Sequence, residues 1–405
     1  MGRVSRRGLL AGAGALVVEA ATAGCAATRS VPGTASTPPA PVDDLPARLN
    51  IAVTAAMRQL GIPGAIVGIS VPGVVEYSRA LGVSDDVTGR PMSLDDHMRI
   101  GGVTKTFTGT AVLRLVEQGL MRLSDPIARY VDGVPAGDRI TLRMLGDMRS
   151  GLYSYEQDRS FVDAMLAKLP AGPGAGAVTP RELVAVTAAH PLSFAPGSRF
   201  EDVDVNAVLL GMAVERVSGQ PYGEHLREHV FEPLRLTHTS CPATGELPAP
   251  YARGYTRGAG GAVADASLWN PSWAGAAGAA VSSYADMTSW ALALGKGSLL
   301  DPATQALRLA RAQDSGPGAA YRFAIFESGG WWGHDGSIAG YTSVVMSIPQ
   351  RSATLVVLAD TDVPEVHAAG FLAETVTRTA TPDNVYTQLG ALPRPSAAPA
   401  PTTDR

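Results

Sequence analysis

The side chains best suited to chemistry lie in three segments that are far apart in the sequence. Lys105, one of only three lysines, stands where a helical hydropathy pattern begins. Two carboxylates follow at Asp202 and Asp204, and an imidazole follows at His334. Such groups transfer protons when their surroundings shift their pKa values, and they also form ion pairs. Position 102 lies three residues before Lys105, so the two positions share one helix face. An amine in this place can activate a nucleophile at position 102. Gly102, however, has no side chain.

Hydropathy patterns predict the elements that position these residues. The predicted helices are 43–60, 103–118, 142–148, 180–189, 206–217, 284–294 and 363–379. The predicted strands are 65–71, 74–81, 321–327, 341–347 and 354–359. Because strands lie at both ends and helices lie between them, we expect one antiparallel sheet built from both chain ends. Helices flank this sheet, a mainly helical insertion spans about 100–300, and a site would fall at the seam between the two.

The composition restricts the possible function classes. The chain has 405 residues, of which 45% are hydrophobic and 17% are charged, and this composition is typical of a folded globular protein. The formal net charge is −4, so the chain has no basic excess with which to neutralise phosphates. We therefore expect no nucleic-acid partner.

The N-terminus has the order of an export signal, namely charge, an apolar run and then small residues. Residues 5–10 resemble a twin-arginine signal, and Ala23-Gly24-Cys25 resembles the end of a bacterial lipobox. We therefore expect an export signal at 1–24, lipidation of Cys25, a flexible tether at 25–42, a folded domain at 43–390 and a disordered tail at 391–405. The expected location is the outer face of the cell membrane. An ordinary cleaved signal and a secreted protein are the alternative.

Five segments carry a resemblance to one family. They are residues 99–108, 141–155, 196–211, 270–278 and 333–337. In this order they resemble the class C β-lactamases and D-alanyl-D-alanine carboxypeptidases. The resemblance implies a β-lactamase/DD-peptidase-like fold, in which the Ser of an S-x-x-K motif is the nucleophile and the Lys is its base. It places that Lys at Lys105 and the H-x-G triplet at His334-Asp335-Gly336.

The sequence departs from the family pattern at three catalytic positions. Gly102 stands where the family has its nucleophilic serine. Asp202 and Asp204 stand where the family has the Tyr and the Asn of its Tyr-x-Asn motif. The resemblance also implies an oxyanion hole formed by the backbone N–H groups of Gly102 and Ser337, and backbone donors survive a change of side chain.

No other hydroxyl is expected to replace the missing serine. Thr104 points about 200° round the helix from position 102, and Thr106 lies one turn deeper. Ser150 belongs to a loop that active members of the family share, so we interpret it as a structural turn residue.

These departures leave several hypotheses open. Asp202 and Asp204 form an ion pair with Lys105, or activate water as an acid/base pair, or bind a metal together with His334, or have no function. The first function hypothesis is an exported lipoprotein that has lost covalent catalysis and binds a peptidoglycan-like peptide or a partner. The second is a serine-independent hydrolase that uses the aspartates and water. The third is a structural or interaction module with a vestigial cleft. No cofactor and no metal are expected.

Overall fold

The computed structural model describes residues 44–168, 176–258, 260–310 and 321–388. The predicted export signal, Cys25, the tether and the C-terminal tail lie outside these described residues. Within the described ranges, no helix is long and apolar enough to cross a membrane.

Helices form the middle of the chain and flank its two ends. The α-helices are α1 (Leu45–Leu60), α2 (Thr104–Glu117), α3 (Leu142–Gly146), α4 (Arg159–Leu166), α5 (Pro180–Ala188), α6 (Val205–Ser218), α7 (Tyr222–Leu226), α8 (Gly275–Gly278), α9 (Tyr284–Lys296), α10 (Pro302–Leu309) and α11 (Ala368–Ala380). All seven predicted helices are present, with ends that differ by a few residues. The largest difference is at α11, which begins at Ala368 and not at 363, because Pro364 disfavours helical geometry in the residue before it.

One antiparallel sheet of eight strands joins the two ends of the chain, in the order β3-β2-β1-β12-β11-β10-β9-β8. Its strands are β1 (Gly64–Val71), β2 (Val75–Asp85), β3 (Arg90–Pro91), β8 (Tyr321–Arg322), β9 (Ile325–Ser328), β10 (Trp331–Ile338), β11 (Tyr341–Ile348) and β12 (Ala353–Ala359). Two small ribbons pair β4 (Met98–Arg99) with β7 (Val281–Ser282) and β5 (Tyr255–Arg257) with β6 (Val263–Asp265). In the large sheet Ala65 of β1 lies opposite Ala359 of β12. The predicted mixed fold, with its sheet built from both chain ends, is confirmed.

Both faces of the sheet are buried, which explains the nearly continuous apolar run of β12. Leu355 and Val357 point into a core shared with α1 and α11. Val356 and Leu358 point into the second core, which is shared with the helical insertion. A strand that is covered on both faces needs apolar side chains at every position and loses the polar alternation of a half-exposed strand.

The strand predicted at 321–327 is a hairpin in the structure. β8 and β9 are separated by a tight turn in which Ala324 has a positive φ of 56°. The Ala324 backbone N–H donates to the carbonyl of Gly146 at 2.8 Å, so the turn is held against the helical insertion. Alternating hydropathy cannot reveal this turn, because Phe323 and Ala324 are as buried as strand residues.

β10 passes very close to the chain segment that precedes α2. A Cβ added to Gly336 would lie 2.2 Å from the carbonyl oxygen of Ile100 and 2.7 Å from the backbone N of Gly102. A side chain at 336 would therefore force the two segments apart. This close approach brings the H-x-G triplet to the N-terminus of α2.

Candidate functional site

The site lies where three elements meet: the N-terminus of α2, the segment before α6, and β10. Gly102 belongs to the short 3₁₀ turn Gly101–Val103 that leads into α2. A Cβ at Gly102 would lie 2.8 Å from the carbonyl oxygen of Asp335 and 3.5 Å from Cε1 of His334. Carbon and oxygen atoms avoid such a short separation. A side chain at position 102 thus requires β10 or the turn to shift.

Lys105 lies in an ion pair with both aspartates. Its Nζ is 2.9 Å from Asp202 Oδ1 and 2.9 Å from Asp204 Oδ1. The Lys105 side chain is 5% exposed, whereas those of Asp202 and Asp204 are 32% and 17% exposed. The ion pair expected from the sequence is therefore present, and it is open to solvent on the side of Asp202.

The charges fix the protonation state of this pair. Burial favours the neutral amine, but the carboxylates of Asp202 and Asp204 outweigh burial and raise the pKa of Lys105 well above its usual value. Burial likewise opposes ionisation of Asp202, but the Lys105 ammonium lowers the pKa of this carboxyl below its usual value. Lys105 is therefore protonated at neutral pH and cannot accept a proton as a base.

Glu156 is a third carboxyl group at this site, and the sequence analysis missed it. Desolvation and the charge of Asp204 raise the pKa of Glu156 to about 8, and the two carboxyl groups are hydrogen-bonded to each other. The side chains of Lys105, Asp202, Asp204 and Glu156 are called the lysine–carboxylate cluster below. Glu156 directly follows the matched family segment that ends at position 155, so proximity to that segment was the only available signal.

His334 is buried and neutral, with both ring nitrogens engaged. Its Nδ1 is 2.5 Å from the Asp335 carbonyl oxygen, so it carries the proton, and Nε2 accepts from the hydroxyl of Tyr321 at 2.9 Å. Burial and the Lys105 charge lower the pKa of His334. Asp335 accepts a hydrogen bond from the hydroxyl of Tyr386 at 3.0 Å. Tyr321 is a second site residue that the sequence missed, because an aromatic residue at the start of a strand carries no distinct signal.

The candidate replacement hydroxyls are all engaged in structural bonds. Thr104 Oγ1 accepts from the backbone N–H of Ala280, and Thr106 Oγ1 donates to the carbonyl of Val103 at 2.7 Å. Ser150 Oγ donates to Asn206 Oδ1 at 2.5 Å and accepts from the N–H of Leu152. All three side chains are buried. The interpretation of Ser150 as a turn residue is confirmed.

The two predicted backbone donors lie on adjoining segments. A Cβ on Gly101, next to Gly102, would lie 2.8 Å from the backbone N of Ser337. Ser337 is exposed, and its preceding carbonyl, that of Gly336, accepts from His367 Nε2 at 2.8 Å. The structure therefore brings Gly102, Gly336 and Ser337 together. Their role as an oxyanion hole stays a prediction.

The carboxylates of this site are not arranged to hold a metal ion. Within the described part of the chain, no group of three or more His, Cys, Asp or Glu residues could do so. Among these residues Asp202 and Asp204 both face the Lys105 ammonium, which repels a cation at the same place. The metal hypothesis for Asp202, Asp204 and His334 is therefore not supported by the geometry.

A profile of the β-lactamase family matches residues 49–376 of the chain. The chain belongs to the β-lactamase family. This assignment agrees with the fold, with the position of Lys105 on α2 and with the H-x-G triplet on β10.

Related proteins in this family carry different activities in their names. The chain is 31% identical to esterase EstB of Burkholderia gladioli over 53% of its own length and 55% of the relative's. It is 26% identical to a β-lactamase of Yersinia enterocolitica over 52% and 50%. It resembles the crystal structure of a D-stereospecific amidohydrolase from Streptomyces sp., with a TM-score of 0.70 and 29% identity over 83% of this chain and 98% of the other. The matched part spans 36% of the length of the putative penicillin-binding protein PbpX of Bacillus subtilis, which is 30% identical over 38% of this chain, and 55% of the length of EstB.

Proposed function

We propose that this β-lactamase-family protein binds a peptide-like ligand in its cleft without forming a covalent bond to it. The observation that carries the proposal is the geometry at position 102. No side chain is present there, and the place of a Cβ lies 2.8 Å from the Asp335 carbonyl oxygen. In the family this position carries the nucleophile, and acyl transfer by that route cannot begin without one.

The state of Lys105 supports the same conclusion. A family base must accept the proton of the nucleophile, but this amine is held between two carboxylates at 2.9 Å and is protonated. Loss of a serine-hydrolase nucleophile alone lowers turnover by about a million-fold. Loss of a free base removes the second component of the same reaction.

The second function hypothesis, hydrolysis by an aspartate and water, is weaker on this geometry. A carboxylate that activates water works best with a raised pKa. The Lys105 ammonium instead lowers the pKa of Asp202, so this carboxylate is a poor base. Glu156 has the opposite shift, but at neutral pH it is mainly protonated, since its pKa is about 8.

The proposed class of ligand follows from the family. The names of the relatives include an esterase, a β-lactamase and a D-stereospecific amidohydrolase, and esters, β-lactams and amides are all acyl compounds. We propose a peptidoglycan-like peptide as the ligand of this chain, or else a protein partner that presents a similar segment. If the cleft is vestigial, neither will bind.

Turnover assays test the proposal. The purified protein should hydrolyse neither the chromogenic β-lactam nitrocefin nor p-nitrophenyl acetate above the rate in buffer, because Gly102 supplies no nucleophile. The Asp202→Asn variant serves as the matched control, since it removes the candidate water-activating carboxylate. Turnover by the wild type that Asp202→Asn abolishes would overturn the proposal in favour of the serine-independent hydrolase.

We also propose that the protein is exported and held at the outer face of the membrane by a lipid on Cys25. This proposal rests on the sequence alone, namely on the export-signal pattern that ends at Gly24-Cys25 and on the Pro-, Ser- and Thr-rich segment that follows. Full-length protein should partition into the detergent phase of a Triton X-114 extraction, whereas Cys25→Ala should appear in the culture medium. Wild-type protein in the aqueous phase would contradict lipidation and leave the secreted alternative.

A further inference from the structure

The lysine–carboxylate cluster carries more negative than positive charge. The ammonium of Lys105 faces the carboxylates of Asp202 and Asp204, and Glu156 adds a third carboxyl group that interacts with all three. With Glu156 protonated the cluster is left with one uncompensated negative charge, and with Glu156 ionised it is left with two. Asp202 is 32% exposed, so this excess charge faces solvent. A cation that enters beside Asp202 would be stabilised there.

The basic side chains of the family motifs present no free positive charge that could bind an anion. Lys105 is 5% exposed and is shared by two carboxylates. His334 is 1% exposed and neutral, and its two ring nitrogens are bonded to Tyr321 and to the Asp335 carbonyl. A ligand carboxylate placed at these residues would therefore meet repulsion from Asp202 and Asp204 without a free cation in return.

Tyr155 supplies an independent observation. Its side chain is completely buried, and within the described part of the chain its hydroxyl has no hydrogen-bond partner. Burial and the charges of Asp204 and Glu156 raise the pKa of this hydroxyl well above its usual value, which places it next to the cluster. An unpartnered buried hydroxyl costs free energy, and a ligand N–H group that reached it would recover that cost.

We propose that the lysine–carboxylate cluster binds a ligand ammonium group, so that the ligand is an amine-bearing peptide or amino-acid amide rather than a peptide recognised by its terminal carboxylate. This inference rests on the proposed function and names the ligand class of the same cleft. Asp202 supplies the exposed carboxylate that meets the amine. Glu156 supplies a second carboxylate once it loses its proton. The groups around it are Asp204, Lys105, Asp202 and the Ser154 hydroxyl.

Three matched compounds test this proposal by isothermal titration calorimetry with the full-length protein. The amine-bearing amide 4-aminobutanoyl-D-phenylalaninamide carries an aliphatic ammonium group that, like that of lysine, stays charged over the pH range used, N-acetyl-D-phenylalanine carries a carboxylate, and N-acetyl-D-phenylalaninamide carries neither. The amine-bearing amide should bind most tightly, and its affinity should rise between pH 6 and pH 8.5, because Glu156 ionises in this interval while the ligand ammonium stays charged. At pH 7, titrations in phosphate and in Tris should show the release of about 0.4 proton per bound amine-bearing amide, because a tenfold gain in affinity lowers the pKa of Glu156 by about one unit.

The isosteric Glu156→Gln variant separates this site from non-specific attraction. It should release no proton on binding and should bind the amine-bearing amide about tenfold more weakly at pH 8.5, the loss expected for one charged hydrogen bond. Asp132→Asn, which removes one exposed carboxylate elsewhere, should leave both values unchanged. Thermal unfolding of each variant checks that it is folded.

The outcomes distinguish this inference from the proposed function. If N-acetyl-D-phenylalanine binds more tightly than the amine-bearing amide, or if the amine-bearing amide binds without proton release, the inference is wrong and the proposed function stands. If none of the three compounds binds at millimolar concentration, both fail. A covalent adduct would overturn the proposed function alone.

Discussion

At the scale of single residues, the two aspartates that stand where the family has a Tyr and an Asn change the pKa values of the groups around them. Asp202 and Asp204 raise the pKa of Lys105, and Lys105 in turn lowers the pKa of Asp202. Asp204 together with desolvation raises the pKa of Glu156 to about 8. A serine restored at Gly102 would therefore face a protonated lysine, so we expect Gly102→Ser alone to recover little acylation.

The raised pKa of Glu156 predicts a dependence of stability on pH. The folded state binds a proton at this group that the unfolded state releases near pH 4.3, so the stabilisation is complete below that pH and is lost as the pH rises to about 8. In urea unfolding, the unfolding free energy of the wild type should therefore decrease between pH 4.5 and pH 8.5. The Glu156→Gln variant should not show this decrease. Identical pH profiles of wild type and variant would contradict the raised pKa.

At the scale of elements, the close approach of β10 to the turn before α2 determines what position 102 can hold. Gly→Ala at a compatible site usually stabilises a protein by about 0.4–1 kcal/mol. At Gly102 the added Cβ would meet the Asp335 carbonyl oxygen at 2.8 Å, so the sign should reverse. We expect Gly102→Ala and Gly102→Ser each to destabilise the fold by roughly 1–3 kcal/mol in urea unfolding.

The comparison of the two variants identifies the cause of this loss. The cost arises from Cβ, which both side chains share, so the two values should agree closely. Stabilisation by Gly102→Ala would show instead that the turn has room for a side chain, and the geometric argument for a lost nucleophile site would fall with it.

The sequence predicted the helices and central strands better than the turns and close contacts that connect them. The helices and the central strands follow from hydropathy, because α1, α6 and β12 carry long regular patterns. The turn at Ala324 and the glycine-rich strand β10 depend on contacts with residues distant in sequence, namely Gly146 and Ile100. The Lys105 ion pair followed from the family resemblance. Glu156 could not be predicted, because its role depends on where residues 154–156 lie relative to α6.

At the scale of the whole molecule, the site depends on both ends and the middle of the chain. β1 pairs with β12, so the first and the last strand of the chain lie side by side in the sheet. β10 contacts the helical insertion at the turn Gly101–Val103. Tyr386, which follows α11, bonds to Asp335 on β10. The fold of the family is therefore complete around a site in which Gly102 stands where the family has its nucleophilic serine.

Restoration of three residues tests whether these positions account for the proposed loss of covalent catalysis. The variant Gly102→Ser with Asp202→Tyr and Asp204→Asn returns the nucleophile and frees Lys105 from both carboxylates. It should acquire measurable acylation by a β-lactam, although slow, since β10 must shift away from position 102. If the variant folds but is never acylated, the cleft has changed beyond these three positions.

The most direct test of the proposed absence of covalent catalysis is the intact mass of the wild-type protein after incubation with benzylpenicillin and, separately, with a fluorophosphonate serine-hydrolase probe. An active β-lactamase-family enzyme treated in parallel provides the positive control. Because Gly102 offers no nucleophile and Lys105 is protonated between two carboxylates, we predict a mass identical to that of the untreated chain in both cases. A mass increase equal to one penicillin, or to one probe molecule with loss of its leaving group, would contradict the account.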